Sequence, residues 1–172
     1  MIEVKNVKIC QWMSEETLAF ECSVYYKNKR VGYAKNDGKG GCNYIHVPRS
    51  LREEMDKWCK NNLPKWGCST IPSREVKEEE KIYDMDLELH ISELVSDWDR
   101  KKWLKRLVKK DVVVVDDTSK KGEYWNYSKK KYARWMKENG GVQGLFNHVK
   151  KNFKNPVCIN SLTIEDGVDL MF

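Results

Sequence analysis

Leu18, Phe20, Cys22, Val24 and Tyr26 alternate with polar or small residues, and this period of two predicts a strand with one buried face. Lys27-Asn28-Lys29-Arg30 is polar enough to turn, and Val31 and Tyr33 continue on a returning strand. The stretch therefore reads as a hairpin. Ile2 to Cys10 alternates more loosely and reads as an opening strand. The hairpin runs into Asn36-Asp37-Gly38-Lys39-Gly40-Gly41, where three glycines in four positions permit positive φ.

Helical signals follow. Ser50-Leu51-Arg52-Glu53 has the form of a capping box, in which the hydroxyl and the carboxylate serve opposite amides of a first turn. Leu51, Met55, Trp58 and Cys59 recur at helical spacing, and Asn61-Asn62 with Pro64 end the run. Residues 65–81 read as a long solvated linker. Tyr83, Met85, Leu87, Leu89 and Ile91 then alternate with Asp84, Asp86, Glu88 and His90, which predicts a strand with an acidic face. A helix from about Ser92 would bury Leu94, Val95, Trp98, Leu104, Leu107 and Val108.

Val112 to Val115 reads as a buried strand, Asp116 to Gly122 as a polar turn, and Glu123 to Tyr127 as its hairpin partner. Ser128 would cap a short helix broken by Gly140-Gly141. Val142, Leu145, Phe146, Val149 and Phe153 describe a last amphipathic helix, and Cys158 to Leu162 a short strand. Hairpins separated by helices, without βαβ alternation, predict an α+β fold of antiparallel hairpins or sheet packed with about four helices. The expected organisation is one domain over 1–172. Within it lie a hairpin-plus-helix part at 1–64, the linker at 65–81, a basic α+β part at 82–162, and a tail at 163–172, loose or docked.

Charge is distributed unevenly along this framework. Residues 100–154 carry 17 Lys/Arg against 5 Asp/Glu, whereas the first 99 residues hold 15 against 18. Such asymmetry points to a polyanionic partner, because summed charge governs steering and non-specific association. Lys101, Lys102, Lys105, Arg106 and Lys109 fall on one helical face, opposite Leu104, Leu107 and Val108. Lys129, Lys130, Arg134 and Lys137 repeat the pattern on the later helix. Trp125 and Tyr127 flank Asn126 on a strand, so one face of that hairpin could stack bases. The ordinary alternative is a solvated lysine-rich face with the aromatics in the core.

Other constellations carry competing readings. The loop Asn36 to Gly41 offers successive amides, as an anion-binding nest would, but lacks a Walker ending and reads first as a bulged turn. Cys42, His46, Cys59 and Cys68 supply zinc-type donors at spacings that match no standard finger. Buried reduced thiols are the default for the six cysteines, none in a Cys-x-x-Cys pair. Asp84, Asp86 and Glu88 would share a strand face and could hold a divalent metal for a nuclease, with a solvated or lysine-paired face as the alternative. His46, His90 and His148 cannot be assigned to any serine or cysteine nucleophile, so no catalytic residue and no cofactor is assigned. No run approaches the roughly 18 apolar residues of a membrane span, and the expectation is a soluble, cytoplasmic protein.

Three stretches carry a resemblance. They are Met13-Ser14-Glu15-Glu16-Thr17, Asn36 to Tyr44 through the glycines, and Asp86-Leu87-Glu88-Leu89-His90-Ile91-Ser92-Glu93-Leu94-Val95 with the basic Lys105 to Lys110 behind it. Together they resemble small bacteriophage and mobile-element accessory proteins over about two thirds of the chain. The resemblance implies an accessory role in the host cytoplasm, including host-defence inhibition of the anti-CRISPR type. The partner would then be a host ribonucleoprotein or nucleic acid. Two alternatives stand beside it: a general DNA- or RNA-binding phage protein, and a metal-dependent nuclease using the acidic strand.

Overall fold

The computed structural model describes residues 1–68, 81–118 and 121–172. The fold is α+β, as the hairpin-and-helix pattern predicts. The chain divides into two compact units, Met1–Trp98 and Asp99–Phe172. By sequence the first holds 15 basic and 17 acidic residues, the second 17 and 9, so the charge asymmetry follows the division.

The first unit is built on a four-stranded antiparallel sheet, in the order β1 (Ile2–Ile9), β2 (Phe20–Tyr26), β3 (Lys29–Asn36), β4 (Tyr44–His46). Lys27 and Asn28 both have positive φ, 47° and 65°, which gives the β2–β3 hairpin the tight turn whose twist suits its strands. Phe20, Cys22, Val24 and Tyr26 are buried, as the alternation predicts. They pack with Met55 and Cys59 of α1 (Arg49–Asn62) and with Leu87, Ile91 and Val95 of α2 (Leu87–Lys110), whose first half belongs to this unit.

The predicted capping box does not form. Pro48 takes the N-cap position, its carbonyl accepts from Leu51 and Arg52 N–H, and Glu53 instead pairs with Arg49 at 3.3 Å. Proline pre-sets the backbone ahead of the first turn and leaves Ser50 inside the helix. Of the predicted linker, residues 69–80 lie outside the described residues. Its ends pair as β5 (Trp66–Cys68) and β6 (Lys81–Tyr83).

The predicted acidic strand is corrected. Only its first residue, Tyr83, ends a strand; Asp84 to Asp86 form an irregular lead-in, and Leu87 to Ile91 open α2. The Asp86 carboxylate accepts from Leu89 N–H at 2.8 Å, and Asp56 of α1 accepts from Leu87 N–H at 2.9 Å. Two carboxylates on the first-turn amides satisfy orphan donors and suit the helix dipole, so the segment helps to start a helix.

The second unit is a three-stranded antiparallel sheet in the order β8 (Trp125–Ser128), β7 (Asp111–Asp116), β9 (Pro156–Cys158). Helices cover both faces. Val113 and Val115 meet Leu104 of α2, Ile159, and Val168 and Met171 of α5 (Ile164–Met171). Val112 and Val114 meet Leu145 and Val149 of α4 (Gly141–Val149), with α3 (Ala133–Glu138) alongside. Burial on both faces explains the unbroken run of four valines. The tail is docked, and Thr163 caps its helix by accepting from Asp166 N–H at 3.1 Å. The predicted last helix stops at Val149; a single 3-10 turn, Lys150–Asn152, then swings Phe153 into extended backbone.

Candidate functional site

In the second unit the end of α2 is tied down by two distant side chains. Asn160 donates to the carbonyls of Val108 and Asp111 at 3.0 and 2.9 Å and accepts from Val113 N–H at 2.7 Å. Lys129 donates its ammonium to Val108 O at 2.5 Å and its backbone N–H to Lys110 O at 3.0 Å. Cations and donors at a helix C-terminus satisfy the last carbonyls and the negative end of the dipole. The turn after β8 is thereby held against the last turn of α2.

The consequence is a meeting of two basic segments far apart in sequence. The Lys129 N–H bond to Lys110 O brings the chain at Lys109–Lys110 against the chain leading into Lys130 and Lys131, and all four of these lysines are exposed. At about 100° per residue, Lys105, Arg106 and Lys109 continue the patch along one side of α2. Among the described residues, ion pairs in this unit include Lys101 with Glu165 at 3.9 Å and Arg134 with Glu138 at 3.7 Å. Among the described residues none joins Lys105, Arg106, Lys109, Lys110 or Lys130 to a carboxylate.

The sequence-predicted residues thus divide. Lys105, Arg106, Lys109 and Lys130 are exposed, and so are Lys102 and Lys137. Lys101 is half-buried beside Glu165, Arg134 faces Glu138, and Lys129 is occupied by Val108.

On the other side of β8, aromatic rings form a row. Trp125 and Tyr127 lie opposite Val114 and Val112 and share their face of the sheet. Phe153 stands edge-on to Trp125 at 4.8 Å, and Tyr132 meets Tyr127 at 6.4 Å. Trp125 remains 40% exposed. Trp125, Tyr127, Phe153, Lys151 and Lys154 line an open groove of about 670 Å³, with Asp116 and Thr118 on its wall.

Asp116 sets that wall. Its carboxylate accepts from the Thr118 hydroxyl at 2.6 Å, from Thr118 N–H at 3.1 Å, and from the N–H groups of Lys154 and Asn155 at 2.8 and 3.3 Å. These donors, the Thr118 hydroxyl foremost, hold its pKa down at about 2. Phe153, Lys151 and Lys154 escape sequence reading because Phe153 fits the apolar stripe of a continuing helix. Asn152 and Asn155-Pro156 are the stop signals that place them beyond it.

The other candidates are dispersed in the first unit. Glu88 accepts from Asn43 N–H at 2.7 Å, Asp86 caps α2, and Asp84 pairs with Lys60 and Lys65 at 2.7 and 3.4 Å. The shared acidic face expected for a nuclease is therefore absent: each carboxylate has its own structural partner. Cys42 is exposed at the end of the glycine loop, and His46 stacks on Tyr33 at 5.0 Å. Cys59 is fully buried, its thiol pushed up to about 12 by burial, and the side chain of Cys68 lies outside the described set. Among the described residues no three His, Cys, Asp or Glu side chains gather as metal ligands.

The glycine loop is a clasp closed on Glu15–Thr17. Gly38 O accepts from Glu15, Glu16 and Thr17 N–H, Gly38 N–H donates to Asn36 Oδ1 at 2.8 Å, and Gly40 N–H donates to Thr17 Oγ1 at 3.2 Å. Those amides are spent internally, which favours the turn over an anion nest. Asn43 adds bonds to Ser92 Oγ and Glu88 O, so the three stretches that carry the resemblance are bonded to one another. Compared with protein-family models, curated proteins and solved structures, the chain matches none.

Proposed function

We propose that this is a non-catalytic nucleic-acid-binding protein acting through its basic second unit. The observation that carries the reading is the Lys129 tie, which sets Lys109 and Lys110 beside Lys130 and Lys131. Among the described residues these gathered cations have no carboxylate partner, and they gain from releasing the counterions of a phosphate backbone. They contact phosphate and carry no sequence preference. The phage-type role, and within it inhibition of a CRISPR effector, rests on the resemblance of Met13–Thr17, Asn36–Tyr44 and Asp86–Val95 alone. Under it the target is the nucleic acid of a host ribonucleoprotein.

The test is an electrophoretic shift with random single strands and duplex, alone and with a purified effector complex. Charge reversal by Lys109→Glu with Lys130→Glu should weaken binding to every nucleic acid tried. Undiminished binding by that variant rejects the patch. Binding that needs the effector complex supports the inhibitor reading over a general DNA- or RNA-binding protein.

A further inference from the structure

We infer that the groove beside β8 is a stacking site for unpaired nucleotides, so that the protein prefers single strands to duplex. The inference rests on the nucleic-acid-binding reading above and deepens it by naming the substrate class. Its carrier is a different set of residues from the cationic patch.

Three observations converge on the groove. First, Trp125 keeps 40% of its surface in solvent although its ring is backed by Phe153 at 4.8 Å, so the indole is exposed and braced at once. Bracing matters because an aromatic ring already held in place loses little entropy when a base stacks on it. Second, Lys151 and Lys154 stand on the same groove and supply positive charge beside the rings. Rings with adjacent cations are the pairing that single-strand binders use, since every base has a π-face and every nucleotide a phosphate. Third, the segment bearing Phe153 and Lys154 is fixed by the Asp116 carboxylate through the N–H groups of Lys154 and Asn155. That carboxylate stays ionised on the groove wall, and the two cations Lys151 and Lys154 outnumber its single negative charge there.

Duplex DNA would not fit this role. Its bases are stacked on one another and present no free face, whereas its phosphates remain available to the patch at Lys109 and Lys130. The two surfaces therefore separate by probe. The groove reads unpaired bases, and the patch reads phosphate of either form.

The experiment measures fluorescence anisotropy of the full chain with a labelled oligothymidylate of about 16 nucleotides and a duplex of equal length, at one salt concentration. The wild type should bind the single strand more tightly. Trp125→Ala should lower single-strand affinity at least about fivefold and leave duplex affinity within about twofold, while Trp125→Phe retains most of it. A thermal melt confirms that each variant folds. Lys109→Glu with Lys130→Glu should lower affinity for both probes. Unchanged single-strand affinity in Trp125→Ala, or an equal loss on both probes in a folded variant, overturns the stacking site. A charge-reversed variant that keeps both affinities overturns the phosphate patch and leaves the groove standing. A wild type that binds neither probe overturns both.

Discussion

Lys129 donates its ammonium to the carbonyl oxygen of Val108 at 2.5 Å, across 21 residues of sequence. The same carbonyl accepts from Asn160 at 3.0 Å, so one oxygen joins the end of α2, the turn after β8 and the segment after β9. Lys129→Met should cost about 1.5 kcal/mol of stability, the lower end of the range for a hydrogen bond from a charged group, since the lysine is half-buried. It should also weaken nucleic-acid binding more than loss of one distant lysine, because the two basic segments come apart. Urea unfolding and anisotropy on one preparation test this. A variant as stable as the wild type contradicts the tie.

Gly38 sits at φ 85°, and a Cβ there would stand 2.2 Å from Met13 O. Gly38→Ala should therefore destabilise the first unit by about 2 kcal/mol or more, combining left-handed strain with a backbone clash. Proteolysis with mass mapping should place the new cuts within 1–98, with the second unit protected. Cuts confined to 99–172 would contradict this.

Asp86→Ala removes the carboxylate that accepts from Leu89 N–H, and should cost about 1 kcal/mol as an N-cap loss. Since Asp84 and Glu88 are engaged by Lys60 and Asn43, magnesium or manganese should leave the melting temperature of wild type and variant unchanged. Metal-dependent degradation of nucleic acid that Asp86→Ala abolishes would restore the nuclease reading.

His90 is half-buried against Trp58 at 6.3 Å, and burial holds its pKa below the ordinary histidine value. The unfolded chain takes up a proton at a higher pH than the folded one. Stability is therefore full above about pH 6.5 and declines as pH falls below it. His90→Leu should flatten that decline in unfolding midpoints compared at pH 7.5 and 5.5. An unaltered slope would place the acid sensitivity elsewhere.

Much of this architecture was legible in the chain. The β2–β3 hairpin shows in the alternation from Phe20 to Tyr26, the α1 stripe in Met55 and Cys59, and the doubly covered β7 in its four valines. The acidic strand was misread because Met85, Leu87, Leu89 and Ile91 satisfy a period of two while Leu87, Ile91 and Val95 satisfy a helix equally well. Asp86 caps the turn from within the segment, but the other cap, Asp56, comes from a different element, which local pattern does not contain. Both halves of the basic patch were legible as charge. Their meeting was not, because it depends on where Lys129 reaches once β7 and β8 pair. The groove was legible only in part: Trp125 and Tyr127 stand out, while Phe153 passes for a core residue of a helix that has already ended.

The most direct test of the central claim is the salt dependence of duplex binding by the full chain. About five phosphate-neutralising cations imply a slope near −4.5 in log affinity against log salt. Lys109→Glu with Lys130→Glu should make that slope shallower by about 2. A slope near zero, or one that charge reversal leaves untouched, would contradict a converged phosphate-binding patch.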